Sequence, residues 1–261
     1  MKIGIIGYGF VGKAVAQSYP KTQLLINDPA HQDISIDIDT IKNQSDCIFV
    51  CVPTPQSITG KCDTSILESV INQLNGYNGI VICKSTASPS VYQRLEQETL
   101  LNIAHVPEFL TQANAVNDYL NPHKIVVGCK ESLHTVVADI ILNSYVKFNG
   151  QVEYCSIAEA SMFKYLANTM LAMKVVINNE YQELCQSLNI NYDNVATIAM
   201  TDPRLGNTHW KVPGPDGQRG FGGACFPKDT SALAKIASEQ NVNLSILNAV
   251  IVKNKSHRSD L

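Results

Sequence analysis

Cys225 is the residue of this chain best suited to act as a nucleophile. It closes the stretch Gly220-Phe221-Gly222-Gly223-Ala224 and precedes Phe226-Pro227-Lys228-Asp229. Glycines let backbone N–H groups come close to a ligand, and Pro227 suits the first turn of a helix. A helix N-terminus with Lys228 beside it stabilises a thiolate, the reactive form of cysteine. Asp229 follows one helical turn after the thiol, placed to act on whatever the sulfur binds. A glycine turn ahead of a helix carrying an inert, buried thiol fits the same residues. A second pair with chemical potential is Lys164 and Asn168, one turn apart and flanked by Met162-Phe163 and Leu166-Ala167. Both then leave the helix on one side, along a partly buried stripe, and a buried lysine needs a partner or a substrate. The plainer alternative is a snorkelling surface lysine beside an unrelated asparagine.

Such groups need elements to present them, and the N-terminus supplies the clearest. The apolar run Lys2–Ile6 meets Gly7-Tyr8-Gly9-Phe10-Val11-Gly12 and passes directly into an Ala/Val-rich helical pattern. A GxGxxG turn between strand and helix is the context in which this pattern binds a dinucleotide. Gly7 makes the turn, Gly9 admits the pyrophosphate, and Gly12 lets the helix pack close to the strand. After a second apolar run, Gln23–Ile26, Asp28 stands where an acid holds the adenosine ribose hydroxyls. Its spacing is a little short of the usual ~20 residues. An acid rather than an arginine there favours NAD over NADP.

Further apolar runs at Cys47–Cys51, Gly79–Cys83 and Ile125–Val127 alternate with helical stretches, which predicts a buried parallel sheet. The ends of these runs carry Val52-Pro53-Thr54-Pro55 and Lys84-Ser85-Thr86, and Pro107-Glu108-Phe109-Leu110 follows another apolar run. Ligand groups collect at the carboxyl ends of strands in open α/β sheets, although a proline-rich turn and a surface glutamate explain two of the three equally. From Cys155 to Leu188 no Gly or Pro interrupts a helical pattern, which predicts one long helix. A loop with Asp202-Pro203-Arg204-Leu205-Gly206 and Val212-Pro213-Gly214-Pro215-Asp216-Gly217 leads to the cysteine motif, and two helical segments finish the chain. The expected fold is α/β: a Rossmann-type doubly wound domain over residues 1–150, then a mainly helical domain over 151–261.

Composition narrows the partners. A net charge of −3 over 261 residues gives no sign of a nucleic-acid or anionic-membrane partner. No apolar stretch approaches the ~20 residues that span a bilayer. The first residues read as a functional strand rather than a signal peptide. The eight cysteines form no CxxC pairs and several sit in apolar runs. They read as reduced core residues of a cytoplasmic protein, with neither a disulfide frame nor a metal site.

In order along the chain, GYGFVG, VPTP, KST, PEFL, the Lys164–Asn168 helix, DPRLG and GFGGACFPKD resemble the UDP-glucose/GDP-mannose dehydrogenase family. The form Cys-Phe-Pro-Lys-Asp is similar to the UDP-glucose branch. The resemblance implies an enzyme that oxidises the C6 alcohol of a nucleotide sugar to a carboxylate with two NAD, in support of polysaccharide biosynthesis. It implies that Cys225 captures the aldehyde as a thiohemiacetal, later a thioester, while Lys164, Asn168 and Asp229 organise alcohol, water and oxyanion. It also implies acid–base assistance from Glu108 and positioning of water by Thr86. NAD contacts are implied for Gly7, Gly9, Phe10, Val11, Gly12, Asp28, Val52, Pro53, Thr54, Lys84, Thr86, Gln112, Cys225 and Lys228. Substrate contacts are implied for Glu108, Phe109, Leu110, Lys164, Asn168, Cys225 and the Phe221-Gly222-Gly223 backbone. Arg204 corresponds to an arginine that reaches a neighbouring subunit's substrate, so a homodimer through the long helix is expected.

Two departures stand out. Many members carry a second glutamate four residues after the first, where this chain has Gln112, which hydrogen-bonds but accepts no proton. Members also continue into a second doubly wound domain that binds UDP, whereas this sequence ends at Leu261, so a compact form and a fragment are both open. The rival expectations are a degenerate relative that binds NAD or nucleotide sugar without turnover, and a two-electron hydroxy-acid dehydrogenase that needs no cysteine.

Overall fold

The computed structural model describes residues 1–258. Short apolar runs become strands: β1 (Ile3–Ile6), β2 (Leu24–Asn27), β3 (Cys47–Val50), β4 (Ile80–Cys83), β5 (Asn102–His105), β6 (Ile125–Gly128) and β7 (Val152–Cys155). They form one sheet in the order β2-β1-β3-β4-β5-β6-β7. The pairing is parallel, as expected, except between β5 and β6, which is antiparallel. Within β3, Cys47 and Phe49 enter one apolar cluster, and Ile48 and Val50 the other. Both faces of the central strands are therefore buried, which is why the sequence shows continuous apolar runs rather than alternation.

Helices α1 (Phe10–Gln17), α2 (Ile38–Gln44), α3 (Ser65–Gln73), α4 (Pro89–Glu98), α5 (Ala115–Leu120) and α6 (His134–Leu142) cover the two faces. Their starts follow capping chemistry. The Asp37 side chain accepts the Thr40 N–H ahead of α2, and Ser88 accepts the Val91 N–H ahead of α4, where Pro89 opens the first turn. The chain divides into two units, one of residues 1–55 and 62–164 and another of 56–61 and 165–261.

The second unit is helical. It takes most of the 31-residue α7 (Ile157–Ser187), then α8 (Tyr192–Ala199), α9 (Phe226–Glu239) and α10 (Ser245–His257). The irregular stretch between α8 and α9 is tied down by side chains. Lys174 donates to the Leu205 carbonyl (2.9 Å), Asn178 to that of His209 (2.9 Å), and the Tyr192 hydroxyl to that of Trp210 (2.9 Å). Ala172 and Val176 of α7, Val250 of α10 and Phe221 share a buried cluster.

Candidate active site

The sheet delivers the first unit's predicted residues in a row. Ile6, Asn27, Val50, Cys83 and His105 are register partners at the ends of the five neighbouring parallel strands. Ladder bonds continue one residue further: Gly7 N–H to Asn27, Cys51 N–H to Ile6, Lys84 N–H to Val50 and Val106 N–H to Cys83. Gly7, Asp28, Cys51, Lys84 and Val106 thus open the loops that hold the candidate ligands. Ser85 locks two of these loops together by donating to the Val52 carbonyl at 2.7 Å. Cys62, which sequence reasoning left unassigned, directs its thiol at the carbonyls of Thr54 (3.5 Å) and Thr86 (3.3 Å).

The glycine turn fits a dinucleotide. A Cβ at Gly12 would lie 1.9 Å from the Gly7 carbonyl oxygen, so close packing of helix on strand demands that glycine. A Cβ at Gly9 would meet no atom within 4 Å, so nothing in the protein itself requires a glycine there. An approaching pyrophosphate does require one. Gly9 caps α1 without a side-chain bond, leaving the first N–H groups of the helix, Phe10 and Val11 among them, for an anion. Asp28 follows β2, and its carboxylate accepts the N–H groups of Tyr8 and Ala30 (2.8 Å). That fixes the acid beside the turn and leaves lone pairs for ribose hydroxyls.

Three charged groups gather at the same edge. Glu108 is 8% exposed; its Oε2 accepts the Leu110 N–H at 2.8 Å and its Oε1 lies 3.3 Å from the Lys164 ammonium. Lys164 also donates to the Glu108 carbonyl and lies 5.1 Å from the centre of the Phe109 ring. Lys84 is 6% exposed, with its ammonium 5.1 Å from the centre of the Tyr119 ring. Burial pushes Lys84 down to about 8, the Cys51 thiol and Glu108 hold it up, and Lys164 depresses it further. Burial likewise keeps His105 neutral, down at about 3, with its Nδ1 facing the Cys83 carbonyl at 3.0 Å. Cys51 is pushed up to about 12 by burial, which makes it an inert thiol. Thr86 is half-buried. Gln112 lies exposed on a short helical turn.

The second unit holds a further group of the predicted residues. Cys225 is half-buried and caps α9, with Pro227 in the first turn. The Asp229 N–H returns to the Cys225 carbonyl at 2.8 Å, so the acid sits one turn beyond the thiol as expected. Asp229 is 1% exposed; one carboxylate oxygen takes the Asn168 amide (2.5 Å) and the other the Lys228 ammonium (2.7 Å). The N–H groups of Gly222, Gly223 and Ala224 donate to no protein group among the described residues. Arg204 stands apart, 86% exposed, with its guanidinium forked onto Asp202 (2.6 Å).

Sequence reasoning passed over the supports of the glycine loop, namely Asn179, Asn254 and the Asp216–Arg258 pair (2.6 Å). For the two asparagines the only signal was a polar residue at a helix position otherwise spaced for burial; Asp216 and Arg258 lie outside the helices and gave none.

Residues 30–146 match the NAD binding domain of the UDP-glucose/GDP-mannose dehydrogenase family, and residues 158–256 match the central domain of that family. The UDP-glucose 6-dehydrogenase of Rickettsia bellii is 32% identical over 85% of this chain and 51% of its own length. The Bacillus subtilis UDP-glucose 6-dehydrogenase TuaD is 31% identical over 85% and 49%. The chain thus spans about half the length of these curated relatives. A UDP-glucose dehydrogenase structure from Pyrobaculum islandicum shares the fold, with a TM-score of 0.85 at 22% identity, covering 98% of this chain and 68% of that one. With both its units accounted for in this way, the chain belongs to the UDP-glucose/GDP-mannose dehydrogenase family.

Proposed function

We propose that this protein oxidises the C6 alcohol of a nucleotide sugar, UDP-glucose to UDP-glucuronate, in two stages through a covalent adduct on Cys225. The observation that carries this is the head of α9: a half-buried thiol one turn from a buried carboxylate that Asn168 and Lys228 hold. Gly9, the first turn of α1 and Asp28 hold NAD, which supplies the hydride acceptor when bound. Asp229 takes the alcohol proton, while Lys164 and Asn168 donate to the oxygen that becomes an oxyanion. The Cys225 sulfur then adds to the aldehyde carbon, and the resulting thiohemiacetal loses a second hydride to become a thioester. Water releases the carboxylic acid and restores the thiol, with Glu108 as the acid–base group and Thr86 placing the water. Gln112 cannot share that proton transfer. The Phe221-Gly222-Gly223 backbone seats the sugar and diphosphate through the N–H groups of Gly222 and Gly223, that of Phe221 being held by Asn254.

The active unit is a homodimer. Leu166, Met170, Ile177, Tyr181, Leu184 and Leu188 follow one another at helical spacing on α7 and just beyond it, each about half exposed, and a second copy buries that stripe. The partner's Arg204 then reaches the substrate. The reaction runs in the cytoplasm, where the cysteines stay reduced.

The test is the NADH yield from purified protein over a panel of nucleotide sugars. UDP-glucose is expected to give two NADH per sugar, and Cys225→Ala to abolish formation of the acid. No NADH above the Cys225→Ala control for any sugar overturns the proposal. One NADH per sugar with Cys225→Ala fully active identifies a two-electron dehydrogenase instead.

A further inference from the structure

The Phe221 ring anchors the glycine loop in a buried apolar cluster, and buried amides from two helices hold the backbone on either side of it. Asn254 of α10 is 2% exposed; its Oδ1 accepts the Phe221 N–H at 2.7 Å and its Nδ2 donates to the Phe221 carbonyl at 2.9 Å. A primary amide offers a donor and an acceptor side by side, so it pairs with one residue's backbone as a neighbouring strand would. Asn179 of α7 is 1% exposed and accepts the Gly220 N–H at 3.2 Å, while its own Nδ2 is spent on the Val175 carbonyl at 2.7 Å. The two glycines flanking Phe221 record how closely α10 and Arg258, the residue after it, approach. A Cβ at Gly220 would lie 2.5 Å from the Asn254 Oδ1, and one at Gly222 2.0 Å from the Arg258 Nη2.

We propose that Asn254, seconded by Asn179, is a positioning residue that fixes the Gly220–Phe221 backbone. It thereby aims the Gly222, Gly223 and Ala224 N–H groups at the substrate and sets the approach of the Cys225 thiol. This rests on the assignment of the loop as the seat of the nucleotide sugar. Asn254 touches neither substrate nor cofactor, so its loss acts on the sugar and the thiol and leaves NAD binding alone. Without the amide, the Phe221 N–H and C=O turn to water or each other, and the loop samples other shapes.

The experiment compares native protein with Asn254→Ala and Asn254→Asp by calorimetry with UDP-glucose and with NAD, by steady-state kinetics, and by iodoacetamide labelling of Cys225 read by peptide mass. Asn254→Ala is expected to raise the dissociation constant and KM for UDP-glucose at least tenfold. The NAD dissociation constant should stay within twofold, and Cys225 should label at least fivefold faster. Asn254→Asp keeps the acceptor but sets a carboxylate oxygen against the Phe221 carbonyl. It should bind UDP-glucose poorly at pH 8 and recover on acidification, when the neutral acid again offers a donor, a pH profile that the native protein lacks. It also serves where Asn254→Ala does not fold. Unchanged UDP-glucose binding and unchanged labelling in a folded variant overturn the proposal, as does an equal loss of NAD binding. If native protein neither binds nor oxidises UDP-glucose, the substrate assignment fails by itself, and the labelling rate alone still decides the role of Asn254.

Discussion

Replacing Gly9 by alanine separates what the glycine turn does for the protein from what it does for the cofactor. The new methyl group meets no protein atom within 4 Å, and Gly9 has a φ of −72°, which alanine adopts without strain. Alanine is a poorer N-cap than glycine, but it also lowers the entropy of the unfolded chain. These effects oppose each other, so stability should change by less than about 1 kcal/mol, or roughly 2–4 °C in Tm. A pyrophosphate resting on this turn must instead retreat from the methyl and give up at least one charge-assisted hydrogen bond. That loss is worth about 1.5–3 kcal/mol, a rise in the NAD dissociation constant of roughly 10- to 100-fold. Gly12→Ala inverts the outcome. Its Cβ would fall 1.9 Å from the Gly7 carbonyl oxygen, so helix and strand must part, at a cost of about 1–3 kcal/mol or more in the apoprotein. Calorimetric titration with NAD and thermal unfolding without it measure both quantities. A Gly9→Ala protein that melts normally and binds NAD within twofold of native refutes the placement of the pyrophosphate.

Three more outcomes follow from contacts in the two units. Burial holds the Lys84 ammonium at about 8, below its ordinary 10.5, so between those values the unfolded chain carries a proton that the folded one has shed. Stability should therefore rise with pH from 8 to 10.5 by roughly 3 kcal/mol, a slope that Lys84→Met removes in urea unfolding across that range. Ser85→Ala loses the 2.7 Å bond to the Val52 carbonyl and should lower stability by about 1 kcal/mol in the same assay. Met170→Glu with Tyr181→Glu charges the exposed stripe of α7 and should convert a dimer to a monomer in sedimentation velocity, with each unit still folded.

The glycine turn, the apolar strands and the long helix were legible because each has a local signature of period, bounding turns or absence of breakers. Edge strand β7 was not: Glu153 and Tyr154 are exposed, so Val152–Cys155 looks like loop until β6 pairs with it. The eight residues of α8 are too few to show a clear period. In the site, Asp229 and Cys225 were visible as neighbours on one helix turn. The contact of Lys164 with Glu108 spans 56 positions and that of Asn168 with Asp229 spans 61, which no local pattern records. Asn254 was hidden for another reason: an amide inside a helix reads the same in sequence whether it faces water or a backbone.

Because the Phe221 clamp is built from an uncharged amide, the loop beside Cys225 keeps its shape across pH and ionic strength. Ion pairs flank the clamp rather than form it: Arg219 with Glu183 before Gly220, Lys228 with Asp229 after Cys225, and Asp216 with Arg258, whose guanidinium holds Asp216 below the ordinary carboxylate range. The clamp itself should then add no pH dependence to substrate affinity. Any pH dependence of turnover belongs to the reacting groups and to the flanking ion pairs, not to the amide that holds Phe221.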